Sequence, residues 1–150
     1  MKLRRYRSSD CETLAKIFYD TIHAVNIRDY SQQQVDAWAT GTVDLERWDR
    51  TMSQRCTFIA VEGDNIIGFG DMDETGYLDR LFVHKDYQGQ GVATAICDAL
   101  ESNVKSDRYH TQASITAKPF FEGRGYNVVK AQQIERRGVT LNNFVMEKKV

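Results

Sequence analysis

Only one proline, Pro119, stands in 150 residues, so no proline-rich linker divides the chain. Cysteine is scarce: Cys11, Cys56 and Cys97 are an odd number with no CxxC spacing. That excludes a disulfide framework and a zinc site, and predicts a reducing, cytoplasmic setting with no bound metal. No window approaches the ~20 apolar residues of a membrane helix. The opening MKLRRYRSSDCE is polar and charged, so no signal peptide is expected. Charge of either sign is not in excess: 20 Lys plus Arg oppose 21 Asp plus Glu, a net charge of −1. A global attraction to nucleic acid or anionic membrane is therefore not expected. Internal repeats and low-complexity tracts are missing too. What remains is 41% hydrophobic residues, a globular value. The length predicts a single domain over residues 1–150 with a sizeable core.

The patterning predicts a mixed α/β order. Lys2 to Arg7 reads as a first, exposed strand. The stretch SDCE from Ser9 is a capping-box pattern, and Leu14, Ile17, Phe18, Thr21, Ile22 and Val25 then recur at helical spacing. SQQQ from Ser31 opens a second helix with Val35 and Trp38 on one face, ended by Gly41, and Asp44 to Gln54 gives a third. From Cys56 the texture becomes strand-like. CTFIAVE and IIGFGDM flank GDN as a hairpin, and YLDRLFV, Tyr77 to Val83, is the next strand. Gly91 to Lys105 is helical, YHTQASI a strand, and KPFFEGRG a short helix with Pro119 in its first turn. YNVVKAQQIE and TLNNFVMEK around Gly138 close the chain as a hairpin.

The segment VHKDYQGQGVATAICDAL raises the question of function. Gly89 and Gly91 flank Gln90 between a strand and a helix. Glycine admits left-handed dihedrals and close backbone approach. A helix start adds unpaired amide protons and a positive dipole end, so the two together form an anion cradle suited to a diphosphate. The alternative is a plain turn. A GxxxxGK[ST] loop is missing, and position 94 is Thr where a dinucleotide fingerprint requires glycine.

LDRLFVHKDYQGQGVATAICDALE resembles the acetyl-CoA segment of the GNAT superfamily of N-acetyltransferases, with Gln88, Gly91 and Ala93 on [QR]-x-x-G-x-[GA] and Leu81 and Val83 on the upstream LxV. SITAKPFFEGRGY resembles the family's second segment, through Ser114, Ala117, Phe120, Gly125 and Tyr126. The resemblance implies a GNAT-like α/β domain, with a mixed, mostly antiparallel sheet flanked by helices and splayed at the cofactor site. It implies acetyl-CoA as co-substrate, its diphosphate held by amides of Gln88, Gly89, Gln90, Gly91, Val92, Ala93 and Thr94. Phe82 and Val83 would pair with the pantetheine arm, Ser114, Phe120 and Phe121 would lie beside the cofactor, and the Val83 amide would hold the thioester oxygen. Ser114 stands where Asn is common. Phe121 replaces a Tyr that protonates the leaving thiolate in relatives, so the acid is unassigned.

Acetyl transfer to an amine needs a neutral amine, an oxyanion donor and removal of a proton. By strand alternation Tyr77, Asp79, Leu81 and Val83 share a face, which makes Asp79 and Tyr77 base candidates. For Asp79 the competing reading is a salt bridge with Arg80, Lys85 or another basic residue. Glu74, with Asp71 and Asp73, forms an acidic stretch that reads first as a solvated turn. Acceptor-pocket candidates are Tyr19, His23, Tyr30 and Trp38 on the first helices. His23 reads equally as an interhelix histidine, and Trp38 as core. The expected acceptor is the primary amine of a small molecule, with a protein amine as second choice, bound by a monomer or homodimer. The alternatives are a non-catalytic acyl-CoA-binding or sensing domain, and a nucleotide-binding module that leaves AKPFFEGRGY unexplained.

Overall fold

The structure is a computed structural model that describes residues 1–150. Its strands are β1 (Lys2–Arg5), β2 (Cys56–Glu62), β3 (Asn65–Met72), β4 (Tyr77–Val83), β5 (Arg108–Ser114), β6 (Asn127–Arg136) and β7 (Val139–Lys149). Its helices are α1 (Cys11–Ala24), α2 (Gln32–Trp38), α3 (Leu45–Gln54), α4 (Val92–Asn103) and α5 (Lys118–Gly123). The strands form one sheet in the order β1-β2-β3-β4-β5-β7-β6. Every neighbouring pair is antiparallel except β4 with β5.

Local chemistry sets most boundaries. Ser31 caps α2 as expected, accepting from the Gln34 amide at 3.1 Å while Gln34 Oε1 accepts from the Ser31 amide at 2.9 Å. The expected box at Ser9 is corrected. A 3-10 turn, Ser8–Asp10, leads into α1 instead, and the Asp10 carboxylate reaches back to the Arg7 amide at 2.8 Å and accepts from Arg4 Nη1 and Nη2. A carboxylate fixed by a guanidinium makes a charge-assisted bond to a backbone amide, which sets the start one residue later than Ser9. Arg137 and Gly138 turn the last hairpin with φ of +49° and +78°.

The core is split by the sheet. On one face, Val92, Ile96 and Leu100 of α4 pack on Met72, Leu78 and Met146. On the other, Leu14 and Ile17 of α1 and Met52 of α3 pack on Ile59 and Phe69, and Ile22, Tyr30 and Val35 on Leu141. Each fully buried aliphatic side chain of this kind contributes about 1.5–3 kcal/mol. Two glycines let α4 lie this close. A Cβ on Gly68 would sit 2.9 Å from Val92 Cγ1, and one on Gly70 2.9 Å from Ile96 Cγ2.

Two irregularities shape the middle of the sheet. β4 and β5 pair only at Tyr77↔His110 and Leu78↔Thr111, so beyond Leu78 the strands part. β4 also carries a bulge: Met72 pairs with Leu78 and Asp71 with Arg80, leaving Asp79 unpaired. The bulge resets the alternation. Leu78, Leu81 and Val83 pack with the α4 side, so the expected common face of Tyr77, Asp79, Leu81 and Val83 is not formed.

Candidate active site

The parted strands open a cleft of about 1000 Å³ between β4, β5, the start of α4 and the α1–α3 side. Which backbone groups face it follows from the β3–β4 ladder. The His84 amide donates to Ile67 O at 2.8 Å, which makes Gly68–Val83 a non-hydrogen-bonded pair. Phe69 and Phe82 are then the bonded pair, and the amides of Leu81 and Val83 point away from β3 into the gap. Phe82 thus spends its backbone groups on β3 and cannot pair with a pantetheine arm. Leu81, the first residue of the LxV motif, instead shares the orientation of Val83. The Val83 carbonyl is already held, by Thr21 Oγ1 at 3.0 Å and Gln88 Nε2 at 2.7 Å. The Val83 amide is left for a ligand.

At the end of β4 the chain enters the glycine loop. Gly89 and Gly91 have φ of +71° and +81°, and no atom lies within 4 Å of where their Cβ atoms would be. Gly91 is the cap of α4, and the Ala95 amide makes the first bond back to it, at 3.1 Å. The amides of Val92, Ala93 and Thr94 therefore have no intrahelical partner. Gln88, Gly89, Gly91, Val92, Ala93 and Thr94 all line the cleft, whereas the exposed Gln90 does not. A bare left-handed loop abutting free helical amides fits a diphosphate in size and charge. Across the gap Phe120, Phe121 and Ser114 also line the wall. Ser114 Oγ accepts from the Ala117 amide at 3.0 Å, which turns β5 into α5. Phe121 is 2% exposed and edge-on to Phe120 and Tyr126 at centroid distances of 5.2 and 5.1 Å.

The polar floor of the cleft is an ion cluster. Asp71 is wholly buried and takes Arg80 Nη1 at 2.6 Å, the Arg80 amide at 2.8 Å and Arg55 Nη1 at 3.3 Å. Asp79, swung out by the bulge, takes Arg55 Nη1 at 2.6 Å. The salt-bridge reading thus holds through another basic residue, Arg55, with Arg80 at 4.0 Å. Burial pushes the Tyr77 phenol up, and the neighbouring Asp79 adds to this. The Tyr77 phenol is therefore protonated at neutral pH. Arg55 was missed in the sequence because it follows α3, 24 residues from Asp79.

The acceptor candidates divide. Tyr30 and Trp38 reach the cleft wall and meet edge-on at 5.4 Å. The Tyr30 hydroxyl donates to Asn142 O at 2.7 Å and accepts from the Ile115 amide at 2.9 Å, so it ties the helices to β5 and β7. Tyr19 and His23 do stack, 4.1 Å between centroids, but away from the cleft. His23 Nε2 lies 2.7 Å from Ala39 O, and Tyr19 lies against Gly41, so the pair braces the chain after α2.

This arrangement has relatives. A family model described as an acetyltransferase (GNAT) domain matches residues 26–148. The uncharacterized N-acetyltransferase YafP of Escherichia coli K12 is 37% identical over 150 residues, covering 99% of this chain and 96% of its own. The GCN5-related N-acetyltransferase of Rhodopseudomonas palustris is 32% identical with a TM-score of 0.94, covering 99% of this chain and 95% of its own. The PaiA N-acetyltransferase of Thermoplasma acidophilum, solved with coenzyme A, shares the fold at 16% identity and a TM-score of 0.80, over 99% of this chain and 98% of its own. Parted β4 and β5, a glycine loop on α4, and this kinship over nearly the whole chain place it in the GNAT superfamily of N-acetyltransferases.

Proposed function

We propose that the chain transfers the acetyl group of acetyl-CoA to a primary amine, of a small molecule before a protein, by direct attack in a ternary complex. The observation that carries this is the Val83 amide, turned into the gap a few residues before a helix start left open by Gly89 and Gly91. Acetyl-CoA brings an activated acyl thioester. The protein's part is to hold and orient it. The amides of Gly89, Gly91, Val92, Ala93 and Thr94 take the diphosphate. Leu81 and Val83 offer the backbone to the pantetheine arm as an added strand would be paired. The Val83 amide then donates to the thioester oxygen as negative charge gathers there.

Proton removal falls to water in the cleft. Asp79 lies on the cleft with its carboxylate held by Arg55 at 2.6 Å, a placement that suits a water relay rather than direct contact with the amine. The phenol of Tyr77 stays protonated, so the proton that the amine gives up passes through this water to the departing coenzyme A thiolate. A second reading, a non-catalytic acyl-CoA sensor, is favoured by Phe121, which brings no hydroxyl to the wall. A thiol-release assay with acetyl-CoA and an amine panel decides between them. Amine-dependent release of coenzyme A supports the transferase. Tight coenzyme A binding without release for any amine supports the sensor.

A further inference from the structure

Two features of the cleft go unused by the transfer step. The first is charge. Arg47, Arg55, Arg80, Arg136 and Arg137 line it, against Asp44 and Asp79. Arg55 and Arg80 are neutralised by Asp71 and Asp79. The other three have no carboxylate partner. Asp44 turns its carboxylate to the Arg47 amide as a helix cap, at 3.0 Å. Arg136 and Arg137 each donate only to a backbone carbonyl, of Glu135 and Ala37. These guanidiniums stand on α3 and on the β6–β7 turn, apart from the glycine loop, which has its own amides for an anion.

The second feature is Asn143. It is 8% exposed and lies on the cleft wall, and its Oδ1 is sealed from solvent without a hydrogen-bond partner. Native proteins seldom leave such an oxygen unpaired, and an amide oxygen can only accept. A ligand that completes it must bring an N–H or O–H. Asn143 pairs with Ser114 on one side and Gln132 on the other, at the open end of β5. Arg136 lies four residues beyond Gln132, on the order of 13 Å along the strand at ~3.3 Å per residue. That span suits a compact molecule with an amine at one end and an anion at the other.

We propose that the acceptor is a small amine that also carries a carboxylate, an amino-acid-like compound, with Asn143 receiving its N–H and Arg47, Arg136 and Arg137 its carboxylate. This rests on the transferase reading above. The test is coenzyme A release at saturating acetyl-CoA with a set of amino acids and the matching amino-acid amides. The acids turn over with kcat/KM at least about tenfold above their amides. Arg136→Gln raises KM for the acids about tenfold and leaves KM for acetyl-CoA unchanged. Asn143→Leu, which keeps the bulk and removes the unpaired oxygen, raises acceptor KM while calorimetry shows coenzyme A binding intact. Equal rates for acids and amides overturn the inference and leave the transferase standing. So does wild-type acceptor KM in both variants. Silence in both sets while other amines release coenzyme A overturns this inference alone, and silence with every amine, coenzyme A still bound, overturns the transferase reading and this one with it.

Discussion

Replacing Gly91 with glutamate tests whether the loop recognises an anion. Two effects are expected and can be separated. Gly91 has φ of +81°, so any L-residue there carries strain of about 1–2 kcal/mol. At ~2–4 °C per kcal/mol that lowers Tm by about 2–8 °C. No atom lies within 4 Å of the new Cβ, so there is no clash to unfold the protein. The second effect is charge. In the water-like limit two unit charges ~4 Å apart interact by about 1 kcal/mol, so one carboxylate against a doubly charged diphosphate costs about 2 kcal/mol. That is about a 30-fold loss of affinity as a lower bound, because reduced screening in the cleft enlarges it. Gly91→Ala carries the same strain without the charge and should weaken coenzyme A by less than about tenfold. The assay is calorimetric titration of coenzyme A into wild type and both variants, each checked by thermal melting, at low and high salt. Salt should recover part of the glutamate loss and little of the alanine loss. Wild-type affinity in a folded Gly91→Glu variant refutes the cradle. Equal losses in the two variants assign the effect to backbone strain alone.

Asp79→Asn keeps the shape and removes the relay, so kcat should fall by up to ~10²-fold with coenzyme A affinity little changed and part of the rate regained at higher pH; an unaltered pH–rate profile would return Asp79 to a structural role. Asp71→Asn leaves Arg80 and Arg55 without their buried counter-charge and should cost about 3 kcal/mol in urea unfolding, and a loss below ~1 kcal/mol would contradict the cluster's place in the fold. Burial opposes ionisation of Asp10, but the Arg4 guanidinium and the Arg7 amide outweigh it and hold its carboxyl below the usual range. That stabilisation is fully present above the unfolded value of about 3.9 and is lost as pH falls through the folded one. Asp10→Asn should therefore flatten the acid limb of stability against pH, and an unchanged limb would show that Asp10 does not contribute to it.

Much of this was legible in the residues. The bounds of β4, the helix after Gly91 and the turn at Gly138 follow from short-range patterns that tertiary contacts reinforce. The bulge was not legible. Alternation is a property of one strand, whereas Asp79 is displaced because Asp71, on the neighbouring strand, bonds the Arg80 amide with its side chain. The same limit explains Phe82. Which amides face the gap depends on the phase of the ladder with β3. Tyr19 and His23 are four residues apart on α1 and stack. Their distance from the cleft depends on how α1 is rotated on the sheet, which no local spacing reports. Asn143 gave no signal, since a strand asparagine is marked only by the partner it lacks.

The brief contact between β4 and β5 has a mechanical consequence. Two residue pairs, with the His110 amide on Gly76 O at 3.0 Å and Thr111 Oγ1 on Leu78 O at 2.8 Å, are the seam between a four-strand plate and a three-strand plate. Each plate is densely cross-bonded within itself, while the seam is short and lies at one end. The sheet is thus stiff within its plates and compliant between them, like a hinged shutter. A ligand arm laid along Leu81 and Val83 acts as a clasp opposite the hinge. Hydrogen exchange of the His110 amide, which bonds Gly76 O across the seam, should slow when the clasp is in place, because the opening motion that exposes it is the one the clasp stops.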